Sequence, residues 1–374
     1  MAGFRVRLQR PFGRPGSGDG ALLRPARRHF LLGLGGALSL PLGFGAMRYL
    51  PGAFRAAAQA ETQDPDYLRI GGGVVGSRLY QLAAALAGAI SNPPGADGCD
   101  PKGPCGVPGL VGLAQTTSGS IENLQNLRSG GIESAVAQAD LVDAALGGSD
   151  PFKSAGPDAT LRGLARIGSA ALQVMVPAVS PCKEIADLKG RTVGLGAKGG
   201  DAAFTGRALL AAYGITAKRA KFDFSDMPSA TAALTVGKLD ALVVVDGAPN
   251  PDIAALVEAR AVRFLPIEGD GATKLINDRP YLKATSIPAG AYKDLPAIPS
   301  ISVPILWAAS SSLDPKLAHA LVTALASQVA PDGGGNAANQ QLIDFTMADQ
   351  TAPLALHPGA LAFYQERKSA TSTN

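Results

Sequence analysis

Histidine is almost missing from this chain: among 374 residues there are only His29, His319 and His357. A lone histidine is more often structural than catalytic, and none of the three stands at a metal-ligand spacing. There is no G-x-S-x-G turn and no evident pair of carboxylates. An enzyme is therefore not expected, an exported hydrolase is disfavoured, and no cofactor is implied. No Lys/Arg run interleaved with aromatics occurs, which argues against a nucleic-acid partner. Beyond residue 55 no apolar stretch is long and unbroken enough to span a bilayer. Cysteine is equally scarce, at Cys99, Cys105 and Cys182. The first two bracket "CDPKGPC", where Pro101, Gly103 and Pro104 enforce a turn. Two thiolates with no nearby His make a poor zinc site, so a short-loop disulfide between Cys99 and Cys105 is expected in an oxidising compartment. Cys182, beside Pro181, is expected to be a buried small hydrophobe.

What the chain does have begins at its front. Nine of its 34 basic residues and one of its 30 acidic ones fall within residues 1–55, and all nine are Arg. Arg27-Arg28 runs into "HFLLGLGGALSLPLGFGA", uncharged from Phe30 to Met47, and Ala58-Gln59-Ala60 supplies small residues before Glu61. A basic region, an apolar region and an A-x-A end make an export signal, and the paired Arg suggests the route for prefolded proteins. The alternative, a single membrane anchor, is weakened by Gly33, Gly35, Gly36, Pro41, Gly43 and Gly45. Residues 1–60 are thus read as a twin-arginine signal and linker. Past residue 55, 25 basic residues face 29 acidic ones, so the net charge of +4 reverses to −4. The mature protein is expected to be soluble and periplasmic.

From Tyr67 onward short apolar runs alternate with helical stretches. "YLRIGG", "VPGLVGLAQTT", "SAVAQ", "RTVGLG", "AKFDF", "LDALVVVD" and "AVRFLPI" read as strands. Between them lie helices near 79–90, 120–127, 140–146, 201–213, 228–236 and 250–258. "LRGLARIGSAALQVMVPA" reads as two apolar runs broken at Gly168-Ser169. This alternation is the mark of α/β construction on parallel strands. The tail adds "SISVPILWAAS" and a helix from Pro315 to Ala330, more than tandem domains need. The chain is expected to cross over after residue 175 and return near 285. Residues 61–177 plus 285–374 then form one lobe, and 178–284 the other. Two crossings make a hinge, and the cleft between the lobes is the natural ligand site.

"IGGGVVGSRLY" contains G-x-G-x-x-G at Gly71, Gly73 and Gly76. A dinucleotide fold wants an acidic residue about 20 positions on. That region is "SNPPGADGCDPKGPC", a Pro-rich loop. These glycines either let backbone approach a ligand, with Ser77 and Tyr80 offering hydroxyls, or simply form a tight turn. "QTTSGSIEN" crowds Thr116, Thr117, Ser118 and Ser120 at a helix start. Ser120 is the expected N-cap, with Glu122 and Asn123 in the first turn; the surplus of hydroxyls suits a carboxylate or phosphate. Gln138 and Asp140 follow the third strand, where Asp140 either caps a helix or meets a ligand. Gly200 and Asp201 open another helix, and Asp246, Gly247 and Asn250 end an apolar strand.

The succession "GGGVVGSRLY", "ISNPPG…C…CGVPGL", "AQTTSGSIENL", "AQADL", "LKGRTVGLGAKGG", "VVVDGAPNPDI", "RFLPI", "IPAGAYKDLP" and "LHPGALAFYQE" resembles the TAXI solute-binding proteins. These serve tripartite ATP-independent periplasmic (TRAP) transporters. The resemblance runs from Tyr67 to Arg367. It implies a two-lobed periplasmic-binding fold of type II-like form, with two parallel or mixed sheets joined by hinge crossovers. It also implies a monomer that closes on a small organic acid, such as a dicarboxylate, a keto acid or an acidic amino acid. The closed protein would dock on a membrane permease; an ABC importer or a membrane sensor is the alternative partner. Two departures bear on the ligand. The family commonly has G-T-Y-Y where this chain has Gly76-Ser77-Arg78-Leu79-Tyr80, and G-S-G-T where it has Gly199-Gly200-Asp201-Ala202. Arg78 either clamps a ligand carboxylate or points to solvent and pairs with an acid, and Asp201 is a candidate to meet a ligand ammonium. Ser77, Tyr80, Thr117, Ser118, Gln138 and Asp140 are the expected first-lobe contacts, with Asp201, Asp246 and Asn250 opposite. Thr117→Ala combined with Ser118→Ala is expected to weaken binding strongly and to leave the melting temperature of the ligand-free protein nearly unchanged.

Overall fold

Helices and strands alternate along the computed structural model, which describes residues 66–96, 105–329 and 337–372. The expected export signal and Cys99 lie outside the described residues. In chain order the first half comprises β1 (Asp66–Gly71), α1 (Arg78–Ile90), β2 (Ser91–Asn92), β3 (Val107–Pro108), β4 (Leu110–Gln115), α2 (Ser120–Ser129), β5 (Ser134–Gln138), α3 (Ala139–Gly147) and β6 (Leu161–Pro177). Then follow β7 (Thr192–Gly194), α4 (Asp201–Ala212), β8 (Lys221–Asp223), α5 (Met227–Thr235), β9 (Ala241–Asp246), α6 (Pro251–Glu258), β10 (Val262–Leu265) and α7 (Gly269–Asp278). The tail holds β11 (Lys283–Ile287), β12 (Ile298–Ser310), α8 (Pro315–Val329), α9 (Ala337–Leu342) and α10 (Pro358–Ser372).

Among the described residues ten strands join in one mixed sheet, with the path β4-β1-β5-β12-β6-β9-β7-β8. β10 pairs with β6, and β11 with β12. Strands β4, β1 and β5 are parallel to one another, as are β8, β7 and β9. Three antiparallel steps, β5–β12, β12–β6 and β6–β9, link the two sets and turn them in opposite senses. The two sheets expected from the sequence are thus hydrogen-bonded through shared strands. The strand responsible, β6, is the stretch that reads as two runs broken at Gly168-Ser169. It is continuous over 17 residues because ladders hold it on both edges. Its residues from Leu161 to Ala171 pair with β12, and those from Ala171 to Met175 with β9.

The helices form where periodicity and caps agree. α1 buries Leu79, Leu82, Ala83, Leu86, Ala87 and Ile90, a stripe at helical spacing that faces the sheet. Ser77 caps it, its Oγ accepting the Tyr80 N–H at 3.3 Å. β5 and the apolar part of β9 are buried on both faces, which explains their unbroken apolar sequences. Cys182 is 2 % exposed, so it packs as a small hydrophobe. Cys105 accepts a hydrogen bond from the Asn92 amide at 3.4 Å. Among the described residues no helix is long and apolar enough to cross a membrane.

Candidate functional site

The site follows from where the two opposed strand sets end. β5 stops at Gln138, which pairs with Ile305 of β12, and β9 stops at Asp246, which pairs with Ala171 of β6. Ile305 and Ala170 form a floor, and between the strand ends lies a cavity of about 120 Å³. Its walls include Gly73, Ser77, Arg78, Ser118, Gly119, Gln138, Asp201 and Asp246. A second space of about 360 Å³ adjoins it, sharing Arg78 and Asp246 and bounded also by Gly76, Gly247 and Asn250. Helix starts surround the first cavity, as expected where strands end and helices begin.

Asp201 is the link between two of those helix starts. It is the first residue of α4, which Gly200 precedes as an N-cap without a side-chain bond. Its carboxylate reaches the start of α2, accepting the Ser120 N–H on Oδ1 at 2.9 Å and the Ser120 hydroxyl on Oδ2 at 2.5 Å. The Ser120 Oγ in turn accepts the Gln138 N–H at 3.0 Å. Ser120 is therefore not the N-cap. Gly119, with φ at 130°, takes that position, and the serine hydroxyl is turned away to Asp201. A side chain at Gly119 would meet Asp201 Oδ1 at 2.7 Å, so glycine leaves room for the carboxylate. Burial pushes the Asp201 carboxyl up to about 7, against the two Ser120 bonds that favour its charged form.

Asp140 lies behind this pair at 2 % exposure, outside the cavity wall. It is in the first turn of α3 but is not the cap, a position held by Gln138. Its Oδ2 accepts the Thr205 hydroxyl of α4 at 2.5 Å, and burial raises its pKa. Thr205 was not anticipated; it lies one helical turn after Asp201, a D-x-x-x-T spacing that places both on one face. Gln138 is 2 % exposed, and its Oε1 accepts a longer bond from Thr205 at 3.4 Å.

Arg78 enters from α1. Its backbone N–H donates to Asp246 Oδ1 at 3.3 Å, while Nη2 donates to the Leu342 carbonyl at 2.6 Å. Its Nε is buried with no hydrogen-bond partner. Burial lowers the guanidinium's pKa, with Asp246 opposing the shift. Asp246 also accepts the Gly247 N–H at 2.8 Å and the Asn250 amide at 2.9 Å, and burial pushes its carboxyl up. Asn250 is the N-cap of α6, its Oδ1 accepting from Asp252 and Ile253. The Asn250 N–H donates to the Tyr292 hydroxyl, which donates to Gln173 at 2.6 Å. No sequence signal pointed to Tyr292 or Gln173, which are far apart in the chain.

Other candidates play supporting parts. Thr117 is 7 % exposed; its hydroxyl donates to Asn123 Oδ1 at 2.7 Å and accepts the Gly119 N–H at 3.3 Å. Asn123 then donates to the Gly72 and Val136 carbonyls. Thr117 thus braces β1 against β5, and the expectation of an unchanged melting temperature without its hydroxyl is revised. Ser118 does face the cavity, although its N–H and hydroxyl both donate to Glu122 at 2.8 Å. Tyr80 lies outside the cavity wall. His319 pairs with Glu366 at 3.0 Å, and His357 is fully buried; neither reaches the cavity. Among the described residues no three His, Cys, Asp or Glu side chains are grouped to hold a metal ion.

A family model, that of the NMT1-like family, matches residues 70–367. The chain belongs to the NMT1-like family. Three solved structures are similar in fold. The alkanesulfonate-binding protein SsuA from Xanthomonas axonopodis pv. citri, bound to MOPS, is 17 % identical, with 81 % of this chain and 84 % of that one covered at a TM-score of 0.42. A TctC solute-binding protein from Polaromonas is 17 % identical, covering 82 % and 98 %, at 0.45. An ancestral arginine-binding protein bound to arginine is 15 % identical, covering 75 % and 97 %, at 0.41.

Proposed function

We propose that this NMT1-like protein is an exported receptor of the TAXI kind. It captures a small organic acid between two hinged lobes and delivers it, as a monomer, to the permease of a TRAP transporter in the periplasm. In this reading residues 61–177 and 285–374 form the first lobe, residues 178–284 the second, and a Cys99–Cys105 disulfide closes a surface loop of the first. The hinge is made by the long strands β6 and β12, which run through the sheet between the two parallel sets.

The observation that carries the reading is the cavity itself. It lies where the two opposed strand sets end and is lined by groups that accept and donate hydrogen bonds. The serine hydroxyls at its edge, those of Ser118 and Ser120, donate to the carboxylates of Glu122 and Asp201. A buried donor supports an acid as ligand, because Arg78 Nε has no partner. A buried donor without an acceptor is costly, and a solute's acid group supplies one. The test is thermal unfolding of the purified protein against dicarboxylates, keto acids and amino acids. At 100 times its dissociation constant, a bound solute adds about 2.7 kcal/mol, which is read as a raised midpoint. One responding class supports the receptor reading; a midpoint unmoved by every solute overturns it.

A further inference from the structure

We propose that the solute carries a protonated amine, and that its ammonium is held in the cavity by Asp201 and Asp246. This rests on the receptor reading and narrows it. Helix starts normally receive anions, yet here the start of α2 is already occupied. The Ser118 N–H is taken by Glu122, the Gly119 N–H by Thr117, and the Ser120 N–H and hydroxyl by Asp201. An incoming carboxylate meets another carboxylate at that point, not free donors.

The charges around the cavity are unbalanced in the same sense. Asp201 and Asp246 line it, and buried Asp140 is bonded to Thr205 on the helix that Asp201 opens. Arg78 is the cation on the wall, and its Nη2 is turned to the Leu342 carbonyl. Burial disfavours the charged form of all three carboxylates by more than Arg279 near Asp140 and Arg78 near Asp246 offset, and Asp201 has Asp140 rather than a cation beside it, so a further cation would be favoured there. With no metal-holding group among the described residues, that cation is an organic ammonium.

The second, independent observation concerns donors. Arg78 Nε is buried without a partner, and Gln138, whose Oε1 accepts from Thr205, presents its amide on the same cavity wall. The solute therefore also carries an acceptor: a carboxylate, a sulfonate or a hydroxyl. A space of about 120 Å³ makes it compact.

The experiment is isothermal calorimetry on the full protein with matched pairs that differ in the amine. The pairs are aspartate and succinate, β-alanine and propionate, taurine and ethanesulfonate, and ethanolamine and ethanol. In at least one pair the amine is expected to bind, with its partner at least 100-fold weaker. Binding near pH 7 should also release protons, because an ammonium favours ionised Asp201; this is read from heats in buffers of different ionisation enthalpy. Asp201→Asn should weaken the amine at least tenfold and abolish the release, and Asp246→Asn should weaken it independently. An acid that binds as well without its amine, or with proton uptake, overturns the ammonium and leaves the receptor standing. If no pair member binds, a wider-panel solute lacking an amine does the same. No binding by any solute overturns the receptor reading itself.

Discussion

At the scale of single residues, the same short stretch of sequence holds both scaffold and site. "TTSGSIEN" looks uniform, but its hydroxyls part company: Ser118 faces the cavity, Ser120 bonds Asp201, and Thr117 turns inward to Asn123. Asn123 is fully buried and satisfies the carbonyls of Gly72 and Val136 at once. Asn123→Ala strands both carbonyls and the Thr117 hydroxyl. Each unmet buried group costs about 1–3 kcal/mol, so with three of them the variant is expected to lose at least about 3 kcal/mol in urea unfolding. A loss under about 0.5 kcal/mol, the range of ordinary surface substitutions, would show that the brace is dispensable. The sequence marks this cluster as polar and at a helix start. It cannot say which hydroxyl points inward, since that depends on β1 and β5 lying side by side. The glycines of "IGGGVVGS" make the same point. Their G-x-G-x-x-G spacing suggests phosphate, whereas a Cβ on Gly71 would collide with Asn123 Oδ1 at 2.6 Å. That glycine admits a neighbouring side chain rather than a ligand.

At the scale of elements, strand and helix periodicity were legible in the sequence, and strand pairing was not. α4, α5 and α6 lie where their apolar spacing puts them. β6 does not announce its length, because burial on both faces removes the alternation that marks a strand. The meeting of α2 and α4 is likewise invisible, since 81 residues separate Ser120 from Asp201. It has a measurable signature. The Asp201 carboxyl is raised from 3.8 to about 7 in the folded protein. Between those values the folded state holds a proton that the unfolded chain has released, so its contribution falls as pH rises from about 4 to about 7. Asp201→Asn removes this slope. Buried His357, held below its ordinary value by burial, works in the opposite direction under acid, but it is common to both proteins. Relative to the variant, wild type is expected to lose roughly 3 kcal/mol between pH 5 and pH 8, the two units below about 7 each carrying about 1.4 kcal/mol. Parallel curves in urea unfolding would rule out Asp201 as the titrating group.

At the scale of the whole molecule, the proposed lobes meet through carboxylates. Ser120 donates to Asp201, Thr205 to Asp140, and the Arg78 N–H to Asp246, and each bond crosses from one lobe to the other. Such contacts are double-edged, because burying each carboxylate opposes closure while its hydrogen bonds favour it. A ligand ammonium would tip that balance, which gives the solute the differential affinity for the closed form that any induced closure requires. Ser120→Ala combined with Thr205→Val deletes two of the crossing donors and leaves their carboxylates buried without those partners. The ligand-free double variant is expected to open, with a larger radius of gyration in small-angle scattering than wild type. Saturating solute should return it to the wild-type value, at an affinity lowered by the fraction of molecules already closed. A radius of gyration identical in both proteins, with and without solute, would mean that β6 and β12 do not act as a hinge and that the cavity binds without closing.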